Sequence, residues 1–112
     1  YNQIDIALDP FPYPGGTSTC EALWMGVPVI TKKGFNFLSR MGETILCNTG
    51  NEELCAKNND EYVDFAVELT KDTSYLDERR ANRREHVLKT CIFDAKSFAF
   101  NFENMISEIL KK

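Results

Sequence analysis

One hundred and twelve residues, 43% of them hydrophobic and 12% aromatic, suit a single domain able to bury a core and argue against a disordered chain. A formal charge of −4 and an isoelectric point near 5.0 disfavour a general binder of nucleic acid or of anionic membranes, so any phosphate binding should be local. No charged-then-apolar leader opens the chain and no apolar run approaches the length of a membrane span, which points to a soluble, cytosolic setting. Because the chain starts at Tyr1 and enters a core strand almost at once, it is expected to be a piece of a longer protein.

Ile4-Asp5-Ile6-Ala7-Leu8 reads as a short apolar strand. Pro10, Pro12 and Pro14 follow, and they forbid both helix and sheet pairing, so the chain must leave the sheet at Asp9. Gly15 and Gly16 can take positive φ and let another group approach the backbone. Ser18 followed three residues later by Glu21 has the spacing of a capping box, which predicts a helix over about Thr19–Met25. Gly26 should stop that helix, and Val27-Pro28-Val29-Ile30-Thr31 is a second apolar strand. Strand, helix and strand this close in sequence make a βαβ unit with parallel strands and a right-handed crossover. The Gly15–Ser18 loop then lies at the carboxyl end of the sheet, where open α/β folds bind ligands. Lys32-Lys33-Gly34-Phe35-Asn36 forms the next loop at that same edge.

Phe37, Leu38, Met41, Ile45 and Leu46 predict a second helix from Phe37 to Cys47, interrupted by Gly42, and Glu53-Leu54-Cys55-Ala56 a third strand. Asn58 with Glu61 again has capping-box spacing. It opens a helix to about Lys71 with Tyr62, Val63, Ala66, Leu69 and Thr70 on one face. Another helix spans Ser74–Lys89. The last, Asp94–Lys111, carries the cleanest stripe, Ala95, Phe98, Ala99, Phe102, Met105, Ile106, Ile109 and Leu110, a face that should be buried. The fold class read from this order is α/β: a partial, Rossmann-like doubly wound parallel sheet of about three strands with helices on both faces.

A Gly-Gly-Thr-Ser-Thr loop opening a helix at a strand's carboxyl end presents free backbone NH groups and the positive end of a helix dipole, both suited to phosphate. Three hydroxyls can supplement those donors. Glu21, one turn in, is suited to accepting hydrogen bonds from the vicinal hydroxyls of a ribose, although the capping box is a competing role for it. The loop matches neither G-x-x-x-x-G-K-[ST] nor G-x-G-x-x-G, so a Walker-type NTPase and nicotinamide chemistry are disfavoured. Arg79, Arg80, Arg83, Arg84 and Lys89 are interleaved with Asp77, Glu78 and Glu85 and read as a solvated, salt-bridged helix; His86 in the same segment has no nearby nucleophile and receives no catalytic role. Cys20, Cys47, Cys55 and Cys91 show no C-x-x-C spacing. They are expected to be reduced and mostly buried rather than metal ligands, with a lowered thiol pKa at Cys20 as the less frequent possibility.

Asp5-Ile6-Ala7-Leu8-Asp9-Pro10-Phe11-Pro12-Tyr13, followed by Gly15-Gly16-Thr17-Ser18-Thr19-Cys20-Glu21-Ala22-Leu23-Trp24-Met25-Gly26-Val27-Pro28-Val29-Ile30-Thr31, closely resembles the catalytic region of the O-GlcNAc transferase and SPINDLY-like glycosyltransferases. Leu38-Ser39-Arg40-Met41-Gly42, Glu61-Tyr62 and the closing helices are also similar to that family's C-terminal end. The resemblance implies a GT-B glycosyltransferase, with residues 1–112 as the C-terminal part of its nucleotide-sugar-binding domain. It places the donor diphosphate on Gly16, Thr17 and Ser18 and the donor ribose on Glu21. No catalytic residue, metal or cofactor is implied within this stretch. Where the animal O-GlcNAc transferases carry a histidine, Gly16 stands here, as in SPINDLY-like and many bacterial members, which leaves UDP-GlcNAc and GDP-fucose both open as donors.

The implied reaction moves a sugar, GlcNAc in the first instance, from a nucleotide-sugar donor to Ser or Thr hydroxyls of a protein acceptor. The implied partners exclude nucleic acid and membrane, and the isolated stretch is expected to be inactive. In GT-B enzymes the terminal helices reach towards the other domain, so some of Phe98, Phe102, Met105 and Ile109 should be unusually exposed in this chain, and it should self-associate through them. The reading from another class is a non-catalytic interaction domain that keeps the Rossmann-like shape without binding nucleotide. Tandem 34-residue helical repeats upstream would favour the enzyme.

Overall fold

A computed structural model of the chain describes residues 1–71 and 73–111, with only the backbone of residues 73, 75 and 79. Three short strands, β1 (Ala7–Leu8), β2 (Val29–Lys32) and β3 (Cys55–Ala56), form one sheet in the order β1-β2-β3. Both pairings are parallel, with Ala7 opposite Val29, Leu8 opposite Ile30, Thr31 opposite Cys55 and Lys32 opposite Ala56. The ladder runs past the strand ends: the Asp9 NH donates to the Ile30 carbonyl and the Lys33 NH to the Ala56 carbonyl, at 2.9 and 2.8 Å. The first two strands are therefore adjacent and parallel, as the βαβ reading requires. Only the last two residues of the Ile4–Leu8 stretch take part in the ladder.

The helices are α1 (Thr17–Trp24), α2 (Met41–Asn48), α3 (Asn59–Thr70), α4 (Thr73–Leu88) and α5 (Ala95–Leu110), and 3-10 turns precede α2, β3 and α5. Gly26 stops α1 as expected. It adopts φ of +77°, its NH donates to the Leu23 carbonyl, and the Val27 NH donates to the Ala22 carbonyl, so the last carbonyls of α1 are satisfied as the chain turns into β2. Asn58 caps α3, its side-chain oxygen accepting from the Glu61 NH at 2.9 Å, while the Glu61 carboxylate reaches back to the Lys57 NH at 2.8 Å.

Alternation along β2 sorts the helices to two faces. Val29 joins Ala22, Leu23, Ile45, Leu46, Leu54 and Val87 in the core, and Thr31 meets α2 at Gly42, where an added Cβ would strike its hydroxyl and the Asp9 carboxylate. Ile30 and Lys32 point the other way, towards α3: Lys32 Nζ donates to Asn59 Oδ1 at 2.9 Å, and the Tyr62 hydroxyl donates to the Asp9 carbonyl at 2.9 Å. Gly42 had read as an interruption of helix 37–47. It lies instead inside α2, because only a residue without a side chain fits so close to β2 there.

α4 packs across α1, but not as a wholly solvated helix. The Arg80 guanidinium donates to the carbonyls of Tyr1, Ile4 and Met25, and so ties the start of the chain to the end of α1. Lys89 and Glu85 form an exposed pair of the expected kind at 2.6 Å; the side chain of Arg79 lies outside the described residues. Asp94 caps α5 by accepting from the Ser97 NH at 3.0 Å. Every described residue of α5 is exposed, contrary to the burial that its periodicity implied. Phe98, Phe102, Met105 and Ile109 are 67%, 49%, 48% and 59% exposed, as the resemblance had led us to expect. Between α5 and α2 lies an open groove of about 890 Å³ lined by Thr44, Asn48, Phe93, Phe98, Phe102 and Met105. Among the described residues no helix is long and apolar enough to cross a membrane.

Candidate functional site

The turn from β1 to α1 is organised by Asp9, a carboxylate only 4% exposed at the end of β1. One carboxylate oxygen accepts from the Gly15 NH at 2.7 Å and from the Thr19 hydroxyl at 3.3 Å; the other accepts from the Thr31 hydroxyl at 2.7 Å. A buried carboxylate without such donors would be strongly unfavourable, and here three groups from the loop, α1 and β2 supply them. The Gly15–Thr19 backbone is thereby pinned to the central strand. Neither Gly15 nor Gly16 takes positive φ; the positive-φ glycines are Gly26 and Gly50. Gly15 is needed for space: an added Cβ would lie 2.7 Å from the Thr19 hydroxyl and 2.5 Å from that of Ser18.

α1 begins at Thr17 with Gly16 as its N-cap, and no side chain caps it. The predicted Ser18–Glu21 capping box does not form. Ser18 already lies in the first turn, two residues past the Gly16 cap position, too late to fold back on the helix end. The first intrahelical bond is Cys20 NH to the Gly16 carbonyl at 3.1 Å, which leaves the NH groups of Thr17, Ser18 and Thr19 without an intrahelical acceptor. The Thr17 and Ser18 side chains are exposed at this end, whereas the Thr19 hydroxyl is turned inward to Asp9, so two hydroxyls rather than three face outward. Gly16 faces the start of α2: a Cβ there would lie 3.1 Å from Met41 Sδ.

Glu21, free of the capping role, is exposed one turn along. Its Oε2 accepts from the Tyr1 hydroxyl at 3.2 Å, and burial followed by this carboxylate raises the Tyr1 phenol above its ordinary pKa. Thr17 and Glu21 line one cavity of about 430 Å³ with Tyr1, Cys20, Trp24 and Phe93. Trp24 and Phe93 meet edge to face at 5.2 Å, so that cavity combines an aromatic pair with a carboxylate and Thr17 at the start of α1. Burial, then the Glu21 charge, push the Cys20 thiol up, which removes the activated-thiolate reading. All four cysteines are free, but Cys47 and Cys91 are exposed rather than buried. Among the described residues no three His, Cys, Asp or Glu side chains come together as a metal ion would need.

Asp9 and Tyr1 are the residues that sequence reasoning missed. The one signal for Asp9 was a carboxylate at the end of an apolar strand matched by Thr31, a hydroxyl at the end of another. That match becomes visible only when Leu8 is set opposite Ile30.

A model of glycosyl transferase family 41 matches residues 2–102. The chain is 42% identical over 104 residues, 93% of its own length, to a protein from Hordeum vulgare described as probable UDP-N-acetylglucosamine–peptide N-acetylglucosaminyltransferase SPINDLY. A protein of the same description from Solanum lycopersicum is 38% identical over the whole chain. The chain spans 11% and 12% of the length of these two curated relatives. Among solved structures, a point mutant of the Thermobaculum terrenum O-GlcNAc transferase superimposes with a TM-score of 0.80 and 35% identity, over 96% of this chain and 20% of that one. Three parallel strands with flanking helices are thus shared with a GT-B enzyme, and the chain belongs to glycosyl transferase family 41.

Proposed function

We propose that the protein of which these residues are a part transfers a sugar, GlcNAc from UDP-GlcNAc in the first instance, to Ser and Thr hydroxyls of proteins. Residues 1–112 would form the C-terminal part of the domain that holds the donor. The observation that carries the reading is the uncapped start of α1, with Glu21 exposed one turn further on. In this reading the NH groups of Thr17, Ser18 and Thr19 and the hydroxyls of Thr17 and Ser18 hold the donor diphosphate next to Gly16, and Glu21 accepts from the ribose hydroxyls.

As the glycosidic bond breaks, negative charge grows on the leaving diphosphate. Fixed donors aimed at that charge stabilise the transition state more than the bound donor. Asp9 holds those donors in place without touching the substrate. The acceptor proton and the base are handled by residues outside this chain, which is why the chain alone is not expected to turn over. Gly16 supplies no side-chain donor, so GDP-fucose is the competing nucleotide sugar.

The test is a titration of the chain with inorganic pyrophosphate and with UDP, followed by 15N–1H spectra. Both ligands are expected to shift the amides of Thr17, Ser18 and Thr19 saturably, and Glu21→Ala should weaken UDP while leaving pyrophosphate unchanged. Shifts confined to other segments would overturn the assignment. Assays of the parent with UDP-GlcNAc and GDP-fucose then decide the sugar.

A further inference from the structure

The register of β2 and β3 brings lysines together at the same sheet edge as the α1 loop. Lys32 stands opposite Ala56, so the next residues, Lys33 and Lys57, leave the sheet side by side. With Phe11, Pro12, Gly34, Phe35 and Ser39 the three lysines line a cleft of about 340 Å³. Lys32 Nζ sits 3.8 Å from the centre of the Phe11 ring, which itself packs edge to face on Tyr62 at 5.4 Å, so one wall is a fixed aromatic-cation pair. Phe35, also in the lining, is 87% exposed, an aromatic side chain with almost nothing covering it.

The carboxylates nearest the cleft are already engaged. Glu43 bridges Lys33 at 2.9 Å and Arg40 at 2.7 Å, one anion between two cations, and Glu61 accepts from the Lys57 backbone NH. Lys32 bonds the neutral Asn59 oxygen and sits over the Phe11 ring. A net positive, aromatic-walled cleft thus stands in a chain whose formal charge is −4, and two of its lining residues, Phe11 and Pro12, belong to the loop that leads into α1.

We propose that this cleft is an acceptor subsite that takes an acidic segment of the polypeptide to be glycosylated. The inference rests on the reading that the parent glycosylates proteins. The chemistry favours peptide over phosphate. No arginine is among the residues that line the cleft, and the start of α3, which follows Lys57, is already capped by Asn58 and Glu61; lysine ammoniums spread along apolar walls serve separate carboxylates better than one compact anion. The phenyl faces of Phe11 and Phe35 leave apolar area that an aromatic or aliphatic side chain between the acidic residues would cover, which inorganic phosphate does not do.

The test uses a blocked peptide, Asp-Asp-Phe-Glu-Glu, its Asn and Gln counterpart, and inorganic pyrophosphate, each titrated into the chain and followed by 15N–1H spectra. The acidic peptide is expected to shift the amides of Phe11, Lys33, Gly34, Phe35 and Lys57, with affinity falling as salt rises. Lys57→Gln should weaken it by about twofold to fivefold, and Lys33→Gln with Lys57→Gln by more. Unchanged spectral dispersion elsewhere shows that the variants fold. Equal shifts with the neutral peptide would make the cleft a plain apolar groove. Displacement of the peptide by pyrophosphate at these residues would make it a phosphate site. Either result, or no shift at all, overturns the proposal.

Failure of the donor reading would look different, as a loss of the pyrophosphate response at Thr17–Thr19 with the peptide response intact. In the parent, Lys57→Gln should raise the acceptor KM for Ser peptides flanked by Asp or Glu, but not for neutral ones, and should leave the donor KM unchanged.

Discussion

The Asp9 carboxylate accepts from the Gly15 NH and the Thr31 hydroxyl, one on each oxygen and both at 2.7 Å, so a single buried side chain fixes the glycine loop against the central strand. Asp9→Ala leaves the buried hydroxyls of Thr19 and Thr31 and the part-buried Gly15 NH without this acceptor. It should destabilise the chain by about 2–4 kcal/mol, on a scale of about 1–3 kcal/mol for each stranded group. Asp9→Asn should cost less, because its oxygen can still face Gly15 while its amide donates to the Thr31 hydroxyl. Urea unfolding of the three proteins checks the order. Equal stability of Asp9→Ala and the unaltered chain would remove Asp9 from the account.

Gly42→Ala is the second test of the same junction. In an exposed helix this change is stabilising by roughly 0.5–1 kcal/mol. Here the new methyl would press on the Asp9 carboxylate and the Thr31 hydroxyl. The expected outcome is destabilisation by about 1–3 kcal/mol, from overpacking at a fully occupied contact.

Glu43 gives the chain a pH signature. Its hydrogen bond to Arg40, opposed by burial and helped by Lys33, holds its carboxyl below the ordinary value. A carboxyl with a lower pKa in the folded state contributes stability that is present above its unfolded value, about 4.3, and is lost as pH falls through the folded one. Glu43→Gln should therefore lower the urea midpoint by a constant amount above about pH 6, and the difference should shrink steadily towards pH 3. A difference independent of pH would show that the ion pairs contribute nothing.

The apolar stripe of α5 should drive association of the 112-residue chain with itself. Phe98 and Phe102 stack at 5.9 Å along the same open groove as Met105, so the exposed area is contiguous rather than scattered. Sedimentation is expected to show a concentration-dependent increase in mass that Phe98→Ser with Ile109→Ser abolishes. A monomer at every concentration would contradict it.

The βαβ core was legible because its signals are local: apolar runs of strand length, prolines that forbid pairing, and a glycine that can turn Met25 into Val27. β3 was legible only from its place in the order, since two laddered residues carry little periodicity. The start of α1 was misread for a specific reason. The spacing of Ser18 and Glu21 is the same whether Ser18 caps the helix or sits in its first turn, and the choice was made by Asp9, which draws Gly15 and Thr19 inward. Asp9 itself depends on Thr31 and Gly42, far away in sequence, and no local pattern reports such a contact. The α5 stripe was read correctly as one apolar face, but periodicity says nothing about what covers it.

Whether Ser18 and its neighbouring amides meet the diphosphate while Glu21 meets the ribose is decided by steady-state kinetics of the parent protein. Neither residue caps α1, so neither substitution removes a cap. Ribose hydroxyls carry the same dipoles before and during transfer; Glu21→Ala should therefore raise the donor KM with little change in kcat. Diphosphate charge grows as the bond breaks, and Ser18→Ala should lower kcat by about tenfold to a thousandfold, the scale of a single oxyanion donor. If both variants fold normally and both constants match the unaltered enzyme, the turn from Gly16 to Glu21 does not bind the donor.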